Sequence, residues 1–244
     1  MIRLLCFVAA CVAWSAGALA SDFGVSPIRF DLDRATKSAV LTVTNDGDRP
    51  LAFQIRVMRW TQDETGADKY APTNDIVYFP QQLRIPPKEK RVVRVGYKVP
   101  AIQSEESFRV YVEQLADGAS APEQTGIVIR LRFGVPLFLR PVKEQRSGEA
   151  ELVLSEGVAR ARIRNSGNVH FRLNSVRFAA LDAEGKPVSE HSLDGWYVLA
   201  GAERTHAYKL PPEACARGHL LRAEALAEKL TLRAERPLRP EDCR

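Results

Sequence analysis

The stretch Thr125–Pro141, TGIVIRLRFGVPLFLRP, decides how this chain is read. Taken with a period of two, one set of positions is Ile127, Ile129, Leu131, Phe133 and Val135, all large and apolar. The interleaved set, Val128, Arg130, Arg132, Gly134 and Pro136, carries two cations near its centre. Side chains alternate across a β-strand, so the segment has one apolar face and one basic face. Two readings follow. Either this is a half-buried sandwich strand with solvated arginines, or its apolar row is held ready for another chain. A long apolar row on an unpaired edge is an aggregation hazard that proteins usually blunt. Leaving one unblunted makes sense where the edge serves to pair with a client strand.

Working back from this stretch, the preceding chain is a succession of short alternating segments. They run Val25 to Phe30 (interrupted by Pro27), Ala39 to Thr44, Leu51 to Trp60, Ile76 to Pro80, Lys90 to Tyr97 and Glu106 to Leu115. Turn signals separate them, the densest being Asn45-Asp46-Gly47-Asp48-Arg49-Pro50. Gln62 to Asn74 reads as a polar loop, and Leu83 to Lys88, LRIPPK, as a turn. About seven short strands with turns between them predict a single β-sandwich. Proline inside the first segment suits a sheet edge.

At the N-terminus, Met1-Ile2-Arg3, the apolar run Leu4 to Trp14 and Ala18-Leu19-Ala20 form a secretory signal over residues 1–20. Val8-Ala9-Ala10-Cys11 has a lipobox-like form, but cleavage there would leave only a stub of the apolar segment. Later in the sequence no run approaches the roughly 20 apolar residues of a membrane-spanning helix. Without Arg3 the basic count falls from 35 to 34 against 30 acidic residues, a net charge of +4. That charge is spread along the chain, which argues against dedicated nucleic-acid binding. Cys6 and Cys11 leave with the signal. Cys215 and Cys243 remain, and two cysteines in an exported chain are most simply one disulfide.

Beyond Pro141 the character changes. Residues 142–150, VKEQRSGEA, are charged and unpatterned and read as a linker between a first domain (21–141) and a second (151–244). Alternating segments resume at Leu152 to Leu154, Val158 to Asn165, Val169 to Phe178, Trp196 to Leu199, Thr205 to Leu210, His219 to Leu226 and Lys229 to Arg236. Turns fall at Asn165 to Asn168, Asp182 to Pro187 and Leu210 to Glu213; the alanine-rich Arg222 to Lys229 could be read as helix, but the flanking period of two favours strand. The second domain is also all-β.

Little in the sequence proposes catalysis. His170, His191, His206 and His219 are scattered, with no H-x-H or HExxH spacing for a metal. Neither a G-x-S-x-G elbow nor a phosphate-cradling glycine loop occurs. Carboxylate pairs such as Asp31 with Asp33 look like solvated turns. The expectation is a protein that is not an enzyme and holds no cofactor or metal. An arginine near an extended edge could anchor a client's terminal carboxylate through a bidentate, charge-assisted pair and so set the register.

Several pieces together resemble the periplasmic pilus-assembly chaperones of the PapD type, partners of outer-membrane ushers. They are Thr44-Asn45-Asp46 with Pro50 following, VYFPQQLRIPPKEKRVVRV (Val77 to Val95), ESFRVYVEQL (Glu106 to Leu115) and the LFLRP ending at Pro141. The second domain adds Asn165 to Arg172 and Val198-Leu199-Ala200-Gly201 before Arg204. The resemblance implies two immunoglobulin-like β-sandwich domains in tandem, a periplasmic location, and binding of pilus subunits that lack their last strand. Strand donation is the mechanism for which this family is the standing example. The resemblance puts the donor row on Ile127, Ile129, Leu131, Phe133 and Val135, and one anchor for the subunit carboxylate on Arg29. The family's usual second anchor is a lysine just before the L-F-x-R-P ending, where this chain has Pro136. Arg132, with Arg130 as the alternative, is the candidate on the same strand face, set against the bland reading of a solvated arginine. The departure brings the chain nearer the archaic branch of the family. A self-capping dimer of the free protein is left open, as is a different class altogether: a secreted adhesin or carbohydrate-binding protein. The latter would need exposed tryptophans, and Trp60 and Trp196 both fall at strand positions where core packing is the commoner role.

Overall fold

The alternating segments become strands because their apolar sets converge on two separate cores. The protein is described by a computed structural model over residues 23–98, 102–115 and 130–243. The signal segment and two members of the apolar row, Ile127 and Ile129, lie outside the described residues.

In chain order the first domain contains β1 (Phe23–Ser26), β2 (Phe30–Leu32), β3 (Ser38–Asn45), β4 (Leu51–Gln62), β5 (Asp68–Pro72), β6 (Ile76–Phe79), β7 (Gln82–Ile85), β8 (Lys90–Tyr97), β9 (Glu106–Gln114) and β10 (Arg132–Leu139). One sheet has the order β1-β3-β8-β6; the other runs β2-β10-β9-β4-β5, with β7 also on β4. Leu41 and Val43 of β3 and Val93 and Val95 of β8 are buried in one core with Phe53 and Ile55 of β4, Phe108, Val110 and Val112 of β9, and Leu137 and Leu139 of β10. The segment interrupted by Pro27 serves both sheets, since β1 pairs with β3 and β2 with β10.

The second domain contains β11 (Gly148–Ser155), β12 (Val158–Asn165), β13 (Phe171–Leu181), β14 (Pro187–Asp194), β15 (Tyr197–Val198), β16 (Glu203–Lys209), the short helix α1 (Pro212–Arg217), β17 (Leu220–Ala227) and β18 (Leu230–Pro237). Its sheets have the orders β11-β12-β16 and β14-β13-β17-β18, with β15 on β13. Two immunoglobulin-like sandwiches in tandem are the result. Cys215 and Cys243 are bonded, with Cα atoms 6.1 Å apart, tying α1 to the C-terminal 3-10 turn. Each domain uses the same device where a strand ends. The buried Asn45 amide donates to the carbonyls of Arg49 and Ile85 while its oxygen accepts from Gly47 N–H. Asn165 does the same with Val169, Val198 and Gly167. Buried amides satisfied at both ends in this way fix a turn without orphaned backbone groups.

Three expectations are corrected and one unread strand is added. Gln62 to Asn74 is not all loop, because Asp68–Pro72 pairs with the end of β4. Within Leu83 to Lys88, Leu83 and Ile85 belong to β7 and are buried. Pro187–Asp194 forms an edge strand on β13 that had no counterpart in the sequence reading. The connection between domains is shorter than 142–150, since Gly148, Glu149 and Ala150 already pair with Asn165, Arg164 and Ile163.

The domains meet across a small apolar cluster, Trp60 and Phe138 of the first with Tyr197 and Leu199 of the second. Polar pairs frame it. The Gln62 side-chain amide donates to Tyr197 O and accepts from Leu199 N–H, and Trp196 Nε1–H donates to Asp68 Oδ2 at 2.9 Å. Both tryptophans are thus committed to the joint rather than to a sugar-binding platform. Glu105 Oε1 lies 2.6 Å from His170 Nδ1 and accepts the His170 backbone N–H at 3.0 Å. The His170 ring stacks on Phe138 with centroids 3.6 Å apart.

Candidate functional site

β10 is paired along its whole length on one side only. Arg132 to Leu139 face Glu113 to Glu106 of β9. On the other side β2 runs parallel and covers Leu137 to Leu139 alone. Among the described residues no strand covers Arg132 to Pro136 on that side. Gln114 N–H donates to Leu131 O at 3.1 Å, so odd-numbered backbone groups of β10 turn toward β9. Arg140 N–H donates to Leu32 O at 2.8 Å, so even-numbered groups turn the other way. The N–H and C=O groups of Arg132 and Gly134 therefore look out from an open edge. Pro136 belongs to the same set, and its missing N–H costs the β9 ladder nothing.

The apolar row divides along this edge. Leu131 is half-buried against the first core. Phe133 is 40 % exposed and meets Phe23 edge-on at 5.2 Å. Val135 is only 4 % exposed and belongs to the core itself. It cannot serve as a presented donor without unpacking the domain, which corrects the expectation for that residue. Leu131 and Phe133 are the described members of the row that remain accessible.

Arg132, the other candidate anchor, is ion-paired to a neighbouring strand. Its Nε is 2.7 Å from Glu113 Oε1, and its guanidinium lies 3.7 Å from the Tyr111 ring centre. Arg29, by contrast, stands 5.1 Å from the centre of the Phe138 ring, six residues further along β10. At about 3.3 Å per residue the two cations are separated by roughly 20 Å of strand, too far to hold one carboxylate together.

A third arginine was missed by sequence reasoning. Arg109 lies opposite Pro136 in the β9–β10 register and is 7 % exposed. Its guanidinium is 4.1 Å from the Trp60 ring centre and 5.6 Å from that of Trp196. Nη1 donates to Gly134 O at 2.9 Å, while Nε is buried without a partner. That carbonyl faces the open edge, so the Arg109 head has crossed over β10 to reach it. A side chain at 134 would crowd the neighbouring ring: a Cβ there would sit 3.0 Å from Tyr111 Cε1, which would have to shift by a few tenths of an ångström.

Arg29 occupies the point where β2 takes over the edge. Its Nε and Nη2 donate to the two Asp31 oxygens, both at 2.9 Å. Asp31 also accepts from Arg140, which pairs in turn with Glu144, and Glu144 with Arg146. Burial by itself would raise the Asp31 carboxyl; the hydrogen bonds and charges of Arg29 and Arg140 outweigh it and hold the group below its ordinary 3.8. Three arginines and two carboxylates thus alternate around this point. Among the described residues no group of three or more His, Cys, Asp or Glu side chains is placed to hold a metal. No helix of the described residues is long and apolar enough to cross a membrane.

Comparison with known proteins agrees with this architecture. The sequence profile for pili and flagellar-assembly chaperones, PapD N-terminal domain, matches residues 22–145, just over half of the 244-residue chain. No curated protein sequence matches. Among solved structures, the fold is similar to a chaperone–tip adhesion subunit pre-assembly complex (CsuC–CsuE) from the archaic chaperone-usher Csu pili of Acinetobacter baumannii. That match has a TM-score of 0.63 at 18 % identity, covering 87 % of this chain and 98 % of that one. The YadV chaperone gives a TM-score of 0.60 at 16 % identity, covering 89 % and 100 %. The SafB chaperone in complex with the SafA pilin, from Salmonella enterica, gives 0.56 at 16 %, covering 90 % and 98 %. At such identities the structural likeness speaks to the fold, and the profile match to descent: the chain belongs to the PapD-type pilus-assembly chaperones.

Proposed function

We propose that this protein is a periplasmic chaperone that folds and caps pilus subunits by lending them the open edge of β10, and then delivers them to an outer-membrane usher. The observation that carries the reading is the uncovered edge from Arg132 to Pro136, with Leu131 and Phe133 presented beside it. A subunit lacking its last strand exposes an apolar groove. Alternating side chains on an adjacent strand would fill it, while backbone groups fix the register. A subunit strand laid parallel to β10 would run toward Arg29 and present its terminal carboxylate there. Arg29 is therefore the proposed anchor, and it would share or exchange its Asp31 partner on binding. Arg132 keeps a supporting part, bracing Glu113 and Tyr111 along the edge.

A second stop for the carboxylate is favoured by one observation: the buried Arg109 head at Gly134 O. A carboxylate reaching it would end its strand nearer the middle of the edge. Pro136 in place of the family's lysine, with this arginine opposite, favours the archaic branch. Without a subunit, two copies could cover each other's edges as a dimer.

The test is co-expression with a pilus subunit in a periplasm lacking other chaperones. A stable 1:1 complex, with the subunit degraded in its absence, is expected. A subunit that accumulates equally well without this protein would refute the function.

A further inference from the structure

Of the two residues whose backbone groups look out from the open edge, Arg132 and Gly134, the second has its carbonyl already in use. Arg109 Nη1 donates to Gly134 O at 2.9 Å. A neighbouring strand would need the same oxygen as an acceptor, because strand ladders run from N–H to C=O. The rest of the Arg109 head belongs to the domain joint. Its guanidinium lies 4.1 Å from the ring centre of Trp60 in the first domain and 5.6 Å from that of Trp196 in the second. Trp196 is held in turn by its Nε1–H, which donates to Asp68 Oδ2 at 2.9 Å. One side chain thus touches both the edge that would receive a subunit and the surface on which the domains meet. It is weakly held for so buried a cation. Arg109 is 7 % exposed, yet among the described residues it forms no ion pair. Neither its Nε nor Trp60 Nε1 has a hydrogen-bond partner among them either. Buried donors are normally paired, and a buried charge normally has a counter-charge or a full set of hydrogen bonds.

We propose that Arg109 is a latch: a positioning residue that caps the Gly134 carbonyl while the edge is empty and yields it to the N–H of an arriving strand. Occupancy of the edge is thereby passed to the two tryptophans of the joint. The proposal rests on the proposed function, because it takes a subunit strand as the chain that arrives. While the edge is empty, the latch covers one acceptor of an otherwise open strand, which blunts it against unwanted pairing. When a strand docks, it binds less tightly than a free carbonyl would allow, because Arg109 is displaced first. By linkage, a strand that moves Arg109 changes the packing of the joint, and a change at the joint alters the affinity of the edge by the same factor. The under-satisfied surroundings of Arg109 favour such a shift, since no ion pair has to be broken to make it.

The test uses synthetic peptides of alternating valine and threonine, about nine residues long, ending in a carboxamide so that no terminal carboxylate takes part. One is unmodified; in the others a single backbone nitrogen, at each position in turn, carries a methyl group. Binding is followed by the anisotropy of a label on the peptide. The joint is followed by tryptophan emission, which in residues 21–244 comes from Trp60 and Trp196 alone. The unmodified peptide should shift the emission of wild type. The peptide that has lost its N–H to Gly134 O should bind without that shift, whereas the one that has lost its N–H to Arg132 O should bind more weakly and still produce it. Arg109→Met, which keeps an unbranched apolar stem, should bind the unmodified peptide about two- to ten-fold more tightly, the span of one net hydrogen bond, and respond little in emission. A purely structural Arg109 would instead weaken every peptide alike on substitution. The latch is overturned if every bound peptide shifts the emission equally, if none shifts it, or if Arg109→Met binds no more tightly than wild type. The methylation series needs no variant, so it decides even where Arg109→Met fails to fold. Leu131→Glu separates this failure from a wider one. If it weakens binding while the emission results go against the latch, the latch falls and the strand-edge function stands. Should Leu131→Glu leave the peptides bound as in wild type, or should wild type bind none of them, the strand-edge function falls and the latch with it.

Discussion

Replacing Leu131 with glutamate puts a carboxylate into the row that would enter a subunit's groove, at a position where the free protein can tolerate it. Full burial of a leucine contributes about 1.5–3 kcal/mol. Leu131 is already half-buried against the first core, so roughly 1 kcal/mol remains to be gained from a subunit. The glutamate forfeits that and must also be desolvated in an apolar groove, at a cost of about 2 kcal/mol or more. Together these give about 3 kcal/mol, a loss of about a hundred-fold or more in affinity. The free protein should lose only about 1 kcal/mol, from the packing Leu131 now makes. Size-exclusion chromatography of the co-expressed complex, followed by competition against wild-type chaperone, measures the first quantity; urea titration of the chaperone alone measures the second. Val135→Ala is the matched contrast. As a core residue it should cost the first domain about 1.5 kcal/mol while leaving subunit binding almost intact. A Leu131→Glu protein that competes on equal terms would refute strand donation through this face.

Three further outcomes are expected. Arg29→Ala should weaken subunit binding about ten- to a hundred-fold, while Arg132→Ala changes it by less than about three-fold; the reverse order in a pull-down titration would move the anchor to Arg132. Serine at both Cys215 and Cys243 should lower the second domain's stability by about 3 kcal/mol in a denaturant titration, with the first domain's transition unmoved. Because the folded Asp31 carboxyl lies below its ordinary 3.8, and Glu144 below its ordinary 4.5, their contribution is complete above those values and disappears as pH falls through the lower folded ones. For Glu144, too, burial opposes the shift, and pairing with Arg140 and then Arg146 prevails. Thermal melts should therefore hold steady from neutral pH to about pH 5 and decline below it, and Asp31→Asn should make that acid limb shallower.

How far the sequence could be read follows from which faces its segments bury. β4 and β9 alternate plainly because one face of each is apolar and enters the core, so Phe53, Ile55, Val110 and Val112 announce them. Asp68–Pro72 and Pro187–Asp194 are edge strands with no fully buried residue, so nothing alternates and they pass for loop. Helix α1, six residues long, is too short to show a helical period. Arg29 was legible through its distance from Asn45 in a family pattern, not through any chemistry of its neighbours. Arg109 was invisible: its role depends on passing over Gly134 and lodging between Trp60 and Trp196, residues far apart in the chain. The pairing of Glu105 with His170 across 65 positions escaped for the same reason. Val135 shows the opposite error, in which a correct alternation was extended two residues past the point where the strand sinks into its own core.

Pro136 bears on what kinds of chain this edge will hold. Over the described stretch Arg132 and Gly134 turn an N–H outward and Pro136 has none to offer, while Arg109 already occupies the Gly134 carbonyl. At a net 0.5–1.5 kcal/mol for each hydrogen bond, the described part of this ladder does not by itself offset the roughly 1–2 kcal/mol per residue needed to straighten a flexible polypeptide. Backbone pairing to Arg132–Pro136 alone would therefore leave an arbitrary unfolded chain unbound. On the proposed function, adhesion would require side chains that fit beside Leu131 and Phe133, and the edge would act as a sieve: indifferent to extended chains in general, retentive only toward those whose apolar spacing matches its own.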